Sequence, residues 1–213
     1  EWYVPEGNFL FKVVKGLDSY FRMNHLHKSL DGLIVISRYL ENYYKEKNSI
    51  RLPPLIDKNS NKWESINYPE TKTINLVYVG SISSGKKDRL DFIINSLDRI
   101  KNRTGKFIFT IIGVTKLQYI KNFGKEFLPE NIDNFVSFLG RKPHEEVVSF
   151  IKKADYSIFL RDKNLTNTAG FPTKFVESLA CGTPVITNDS SDLLEYLSSG
   201  YLGSCLSTSD NEE

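Results

Sequence analysis

Cysteine, long apolar runs and excess charge are all scarce in this sequence, and each scarcity removes a class of protein. Two cysteines, Cys181 and Cys205, cannot build a disulfide scaffold, and neither lies in a Cys-x-x-Cys or Cys/His cluster of metal-ligand spacing. A reduced, cytoplasmic setting is the simplest expectation. No apolar stretch approaches the roughly 20 residues that a membrane helix needs, and no charged-then-apolar signal segment opens the chain. The 28 Lys and Arg against 26 Asp and Glu leave a net charge of +2. These charges are interspersed, so no nucleic-acid partner is expected and any phosphate site must be local. No G-x-G-x-x-G follows a strand either. The loop Gly80-Ser81-Ile82-Ser83-Ser84-Gly85 has the wrong glycine spacing for a dinucleotide dehydrogenase, although it suits a looser phosphate contact.

What is present is a globular composition, 40% apolar and 25% charged over 213 residues, enough for one core or one core plus a fragment. Residues 1–72 read as an incomplete α/β piece with a linker. Asn8 to about Leu30 is helical, residues 32–36 form a short strand, and Ser37 caps a helix running to Lys47. Arg51-Leu52-Pro53-Pro54-Leu55 halts regular structure, and the polar stretch from Asp57 to Lys72 is the linker. The opening Glu1-Trp2-Tyr3 without an initiating Met, and a closing Ser207 to Glu213 that reads as an unfinished helix, suggest a piece of a longer protein.

From 73 to 213 strands and helices alternate. The continuous apolar runs 74–79, 107–112, 135–139, 156–160 and 184–187 suit strands buried on both faces of a parallel sheet. Between and after them, 88–101, 116–125, 144–153, 173–181 and 191–198 have helical spacing. The expected class is therefore α/β, with a doubly wound parallel sheet whose ligands lie beyond the carboxyl ends of the strands. The loops after Val79, Ile112, Leu139, Leu160 and Thr187 are where function is to be sought.

The most informative stretch runs from Ala169 to Thr187. Gly170 permits a tight turn, Thr173 can cap, and the helix that follows presents free amides and partial positive charge, worth about 0.3–2 kcal/mol toward an anion. Lys174 adds a full charge. Glu177, three residues on, can accept two hydrogen bonds from vicinal ribose hydroxyls, or it can simply pair with Lys174 on the surface. Gly182 suits a left-handed C′ position, and Pro184 bars the helix from continuing.

This stretch resembles the Glu-x7-Glu region of retaining glycosyltransferases of the GT-B fold, especially glycosyltransferase family 4 (glycosyl transferases group 1). The resemblance rests on Gly170-Phe171, Glu177, Ala180, Gly182, Pro184 and Val185. It is supported by Val79-Gly80-Ser81 with Lys86-Lys87, Phe138-Leu139-Gly140, Ala154-Asp155-Tyr156, Ser37-Arg38-Tyr39-Leu40 and Pro53-Pro54-Leu55. It implies that 73–213 is the Rossmann-like C-terminal, donor-binding domain and that 1–72 is a remnant of the N-terminal acceptor domain. By the same resemblance Glu177 contacts the ribose of a nucleotide sugar. The amides around Gly170, Phe171, Pro172 and Thr173, with Lys174, face the diphosphate and sugar. Lys86 or Lys87, with Lys86 preferred, is the phosphate-binding lysine, and Gly80 and Ser81 line the same loop. Arg141, after another strand, contacts the base or a phosphate, or is a solvated loop charge like Lys142.

Two departures stand out. Ala169 occupies the place of the first Glu, and Ser81 that of an Arg expected near the diphosphate. Arg161, just past the 156–160 strand, is the candidate replacement through its planar fork. Its alternatives are pairing with Asp162 or packing on the loop 164–168. Lys86, Glu177 and Arg161 are thus the candidate catalytic residues.

The implied activity is transfer of a sugar from a nucleotide-diphosphate sugar to a glycan or lipid-linked acceptor, with retention, in bacterial surface polysaccharide biosynthesis. The acceptor is expected to be held by the N-terminal domain, so that the chain alone is inactive. No metal and no cofactor are expected, in keeping with the lack of an Asp-x-Asp triplet. The resemblance is compatible with peripheral association of the full-length protein at the inner face of the membrane. Two other readings remain open: a non-catalytic nucleotide-sugar-binding module, and a GT-B-like nucleotide-sugar epimerase.

Overall fold

The computed structural model describes residues 8–64, 66, 71–82, 88–103 and 106–206. In chain order these form α1 (Phe9–Phe21), continued through a π-helical stretch Arg22–Leu26 into α2 (His27–Ser29), then β1 (Leu33–Val35), α3 (Arg38–Tyr43) and β2 (Ser49–Arg51). There follow β3 (Ile74–Val79), α4 (Leu90–Ile100), β4 (Phe107–Ile112), α5 (Lys116–Phe123), β5 (Val136–Gly140) and α6 (His144–Lys152). The last are β6 (Tyr156–Ile158), α7 (Leu165–Ala169), α8 (Thr173–Ala180), β7 (Val185–Asn188), α9 (Leu193–Leu197) and β8 (Gly203–Leu206).

Two compact units divide the chain. The first takes the described residues up to Leu55 together with Lys163–Phe171 and Ser190–Asp192; the second takes the rest from Ile56 onward. Two short segments from the second half of the chain thus join the first unit.

In the first unit β1 and β2 pair in parallel, Leu33 opposite Ser49 and Val35 opposite Arg51. Ser37 caps α3, accepting from the Leu40 amide at 3.3 Å, as expected of a serine in extended backbone before a helix. The Asp192 carboxylate accepts from the Arg38 amide at 2.8 Å and from Arg51 Nη1 at 2.9 Å. That fixes 190–192 to the start of α3. β2 went unforeseen because its single apolar residue, Ile50, gives no alternation. The segment 164–168, expected as a loop, is instead most of α7, capped by the Asn164 side chain accepting from the Asn167 amide at 2.9 Å.

The second unit holds a six-stranded, fully parallel sheet in the order β5-β4-β3-β6-β7-β8. Starting at β3 the chain winds one way through β4 to β5, then returns to β6 beside β3 and winds the other way. The strand order reverses between β3 and β6, the place where such sheets open a crevice. Continuous apolar strands follow from coverage on both faces: Val77, Tyr78, Phe109, Ile111, Ile112, Ile158 and Val185 are buried. Burying side chains of this size contributes about 1.5–3 kcal/mol each. α4 covers the sheet with Leu90, Ile93, Ile94 and Leu97. α5 begins in a capping box between Thr115 and Gln118.

A glycine follows or ends each of β3, β4 and β5, and hydrogen bonds knit these ends together. The Gly80 amide donates to Ile112 O at 3.0 Å and the Gly113 amide to Gly140 O at 2.7 Å. At Gly113, φ is +94°, and a Cβ would come within 2.3 Å of the Gly80 carbonyl oxygen. Only glycine lets the two loops approach so closely.

Candidate functional site

Three elements converge where the strand order reverses. Asp88 comes from the end of the loop after β3, Arg161 from just beyond β6, and Lys174 from the first turn of α8. Asp88 and Arg161 form an isolated antiparallel bridge, and the Arg89 amide donates to Leu160 O at 2.8 Å. The chain leaving β3 is thereby tied to the chain leaving β6. The Asn188 amide clamps the same point from the end of β7, with Oδ1 accepting from Arg161 N at 2.9 Å and Nδ2 donating to Arg161 O at 2.8 Å.

The side chains then close a charged cluster. Lys174 Nζ donates to Asp88 Oδ2 at 2.5 Å, the Tyr78 hydroxyl donates to the same oxygen at 2.7 Å, and Arg161 Nε donates to Oδ1 at 3.2 Å. Side-chain exposure is 6% for Asp88, 5% for Arg161 and 15% for Lys174. Two cations share one carboxylate in near-dry surroundings, so the cluster keeps one net positive charge. Burial alone would raise the Asp88 pKa. The charge and hydrogen bond of Lys174, the charge of Arg161 and the Tyr78 hydroxyl outweigh it and hold the carboxyl below its ordinary range. Tyr78 is pushed well above its ordinary value, first by burial and then by Asp88, and stays a neutral donor.

Aromatic faces complete the seat. Lys174 Nζ lies 4.4 Å from the Tyr78 ring centroid and 5.3 Å from that of Phe159, and the Arg161 guanidinium lies 5.9 Å from Phe159. Gly80 sits against this ammonium, for a Cβ there would meet Lys174 Nζ at 2.8 Å and the Tyr78 hydroxyl oxygen at 2.5 Å.

The helix that carries Lys174 starts at Thr173, with Pro172 at the N-cap and no side-chain capping bond. The expectation that Thr173 caps is corrected: it is the first helical residue, and the N-cap place falls to Pro172, whose side chain has no oxygen to accept from the first amides. At the other end the Gly182 and Thr183 amides donate to Leu179 O and Ser178 O, both at 3.0 Å, with Gly182 at φ +76°. This paired arrangement is the left-handed stop that the sequence announced. Glu177 is partly exposed, its carboxylate 4.0 Å from His144 Nε2.

The remaining candidates lie as follows. Ser81 and Arg141 are exposed on the loops after β3 and β5. Lys86 and Lys87 lie outside the described residues. Gly170 and Phe171 belong to the first unit, where Ser191 Oγ donates to the Gly170 carbonyl and Ser37 Oγ donates to the Ala169 carbonyl at 2.7 Å. Gly170 has φ −86°, so it makes no left-handed turn. A Cβ there would meet Thr166 O at 3.0 Å, which makes close packing its constraint.

Arg161 does not pair with Asp162, which accepts instead from Arg89 Nη1 at 3.1 Å; Arg161 turns to Asp88. The sequence reading missed Asp88, Tyr78 and Asn188. One signal was available: two cations converging on one dry sheet edge call for a carboxylate between them.

Comparison with known proteins now adds identity to geometry. Residues 59–213 match the family described as Glycosyl transferases group 1. An uncharacterized glycosyltransferase of Methanocaldococcus jannaschii is 30% identical over 174 residues, covering 81% of this chain and 44% of that protein. The amylovoran biosynthesis glycosyltransferase AmsK of Erwinia amylovora is 30% identical over 124 residues, covering 55% of this chain and 29% of that protein. The chain thus spans less than half the length of these relatives. Among solved structures, WaaG, a glycosyltransferase involved in lipopolysaccharide biosynthesis, superposes with a TM-score of 0.65 at 16% identity, over 96% of this chain and 57% of that one. That likeness shows the fold, the parallel-sheet architecture of GT-B glycosyltransferases. No helix among the described residues is long and apolar enough to cross a membrane. With its sheet, its strand order and the match over residues 59–213, the chain belongs to the glycosyl transferases group 1 family.

Proposed function

We propose that this chain binds the donor of a retaining glycosyltransferase, taking a nucleoside-diphosphate sugar at the crevice between β3 and β6 for transfer to a glycan or lipid-linked acceptor. The observation that carries the reading is the buried Asp88–Lys174–Arg161 cluster, with its net positive charge at the reversal of strand order. A departing nucleoside diphosphate develops negative charge, and preorganised cations in a dry site stabilise it more than solvated ones do. Lys174 and Arg161 serve the diphosphate, together with Lys86 or Lys87, and the uncapped first turn of α8 presents its amides to the same anion. Ser81 and Gly80 line the phosphate side, and Arg141 reaches the base or a phosphate. Glu177, one turn further along α8, accepts from the ribose hydroxyls. In this reading cations and amides take the part that a metal plays in other transferases.

The part of WaaG in lipopolysaccharide biosynthesis and that of AmsK in amylovoran biosynthesis support a place in bacterial surface polysaccharide synthesis. Ala169, buried where the resemblance expects a carboxylate toward the donor sugar, favours a second reading: a module that holds the nucleotide sugar without transferring it.

A melting screen with UDP, GDP and ADP tests the proposal. One of the three, at about 100 times its dissociation constant, should stabilise the chain by roughly 2.7 kcal/mol. Equal melting with and without all three would refute it. Transfer by the full-length protein, against binding without transfer, separates the two readings.

A further inference from the structure

We infer that Asp88 is a positioning residue, whose carboxylate seats the Lys174 ammonium and the Arg161 guanidinium beside one another at the β3/β6 crevice. The inference rests on the reading of that crevice as a nucleoside-diphosphate site. Three observations carry it. The carboxylate divides its two oxygens, Oδ2 toward Lys174 and Tyr78 and Oδ1 toward Arg161, so one group sets the geometry of two cations from different elements. Both cations lie over the Phe159 ring, 5.3 and 5.9 Å from its centroid, where two like charges without an intervening anion would repel each other apart. Finally, Asp88 is itself fixed through the backbone, by its bridge to Arg161 and by the neighbouring Arg89–Leu160 hydrogen bond.

An acid beside a diphosphate site has two opposed effects. Its charge repels the incoming anion, while its hydrogen bonds hold the cations where the anion needs them. The second effect dominates here, because cations this deeply buried and left without their shared anion would have to move away from the positions the ligand needs. Asp88 therefore helps binding although it carries the ligand's own sign. It acts through Lys174 and Arg161 and does not touch the substrate.

The test is a double-mutant cycle by titration calorimetry on the chain, using whichever of UDP, GDP and ADP the parent binds most tightly. The variants are Asp88→Asn, Lys174→Met and the double variant, with Tyr78→Phe alone and combined with Lys174→Met. Asp88→Asn should weaken binding about tenfold or more, and the same change on the Lys174→Met background should weaken it less than about threefold. Unchanged or tighter binding in Asp88→Asn overturns the inference, since Asp88 would then be only a competitor for the cations. Equal losses on both backgrounds also overturn it, since Asp88 would then be only a structural residue. Should Asp88→Asn fail to fold, Tyr78→Phe decides: it keeps every charge, and it should weaken binding about threefold with Lys174 present and leave it unchanged without. A parent that binds none of the three nucleotides refutes the site itself; a parent that binds while the cycle shows no coupling refutes only the role of Asp88.

Discussion

Lys174 and Glu177 stand three residues apart on α8, and a helical wheel makes them neighbours, yet their surroundings differ sharply. Lys174 runs into the crevice, is mostly buried and meets a carboxylate at 2.5 Å. Glu177 stays partly in solvent, 4.0 Å from a histidine that is itself exposed. The difference separates two kinds of functional group. A group held by buried partners has its position settled before any ligand arrives, and changing it disturbs the fold. A group at the rim has little structural duty, and changing it should touch the ligand alone.

The largest effect that this contrast predicts is on the buried side. Asp88→Ala leaves two cations without their shared anion and should cost about 3–5 kcal/mol of stability, read as a lower melting temperature. The same carboxyl gives the stability a pH signature. Its folded pKa lies below the ordinary 3.8, so its contribution is complete above that value and fades as the pH falls through the folded value. Acid unfolding curves of the parent and of Asp88→Asn should therefore stay apart above the ordinary value of 3.8 and converge only as the pH falls through the lower, folded value.

Next comes the glycine contact that brings the loops together at the crevice. Gly113→Ala puts a methyl within 2.3 Å of the Gly80 carbonyl at a φ of +94°, so the loops must part. A loss of about 1–3 kcal/mol in chemical denaturation is expected. At the rim, Glu177→Gln should leave the melting temperature within about 1 °C of the parent, while costing about 1.5–3 kcal/mol of affinity for a nucleoside diphosphate and much less for inorganic diphosphate. Equal losses for both ligands would break the contrast, because the carboxylate would then not be reading the ribose. The smallest effect belongs to the exposed pair Lys142–Glu146, 3.2 Å apart. Lys142→Ala should change stability by less than about 0.5 kcal/mol.

Much of the second unit was legible because its signals are local. β3 and β4 have the bounds that their apolar runs announced, and Gly182 ends α8 as a C′ glycine should. β8 and β2 escaped because neither has more than two apolar residues, and both owe their pairing to a partner strand distant in sequence. α7 escaped for a related reason: Asn164 to Ala169 is polar enough to read as a loop, and its helix is fixed by the Asn164 cap and by packing on α3.

The cluster was half legible. Arg161 and Lys174 could be placed at the sheet edge from strand and helix periodicity. Asp88 was absorbed into the start of a helix, because nothing in Lys87-Asp88-Arg89 tells which of three charges turns inward. Its role arises from the strand order, which brings β6 beside β3 and so lays residue 161 against residue 88. Only the folded sheet contains that information.

The most direct test of the account is a crystal structure of the chain with the nucleoside diphosphate that protects it best against melting. The diphosphate should lie within hydrogen-bond distance of Lys174 Nζ at the ends of β3 and β6, with the ribose hydroxyls on the Glu177 carboxylate. A nucleotide bound elsewhere, or in this crevice with its ribose turned away from α8, would contradict it.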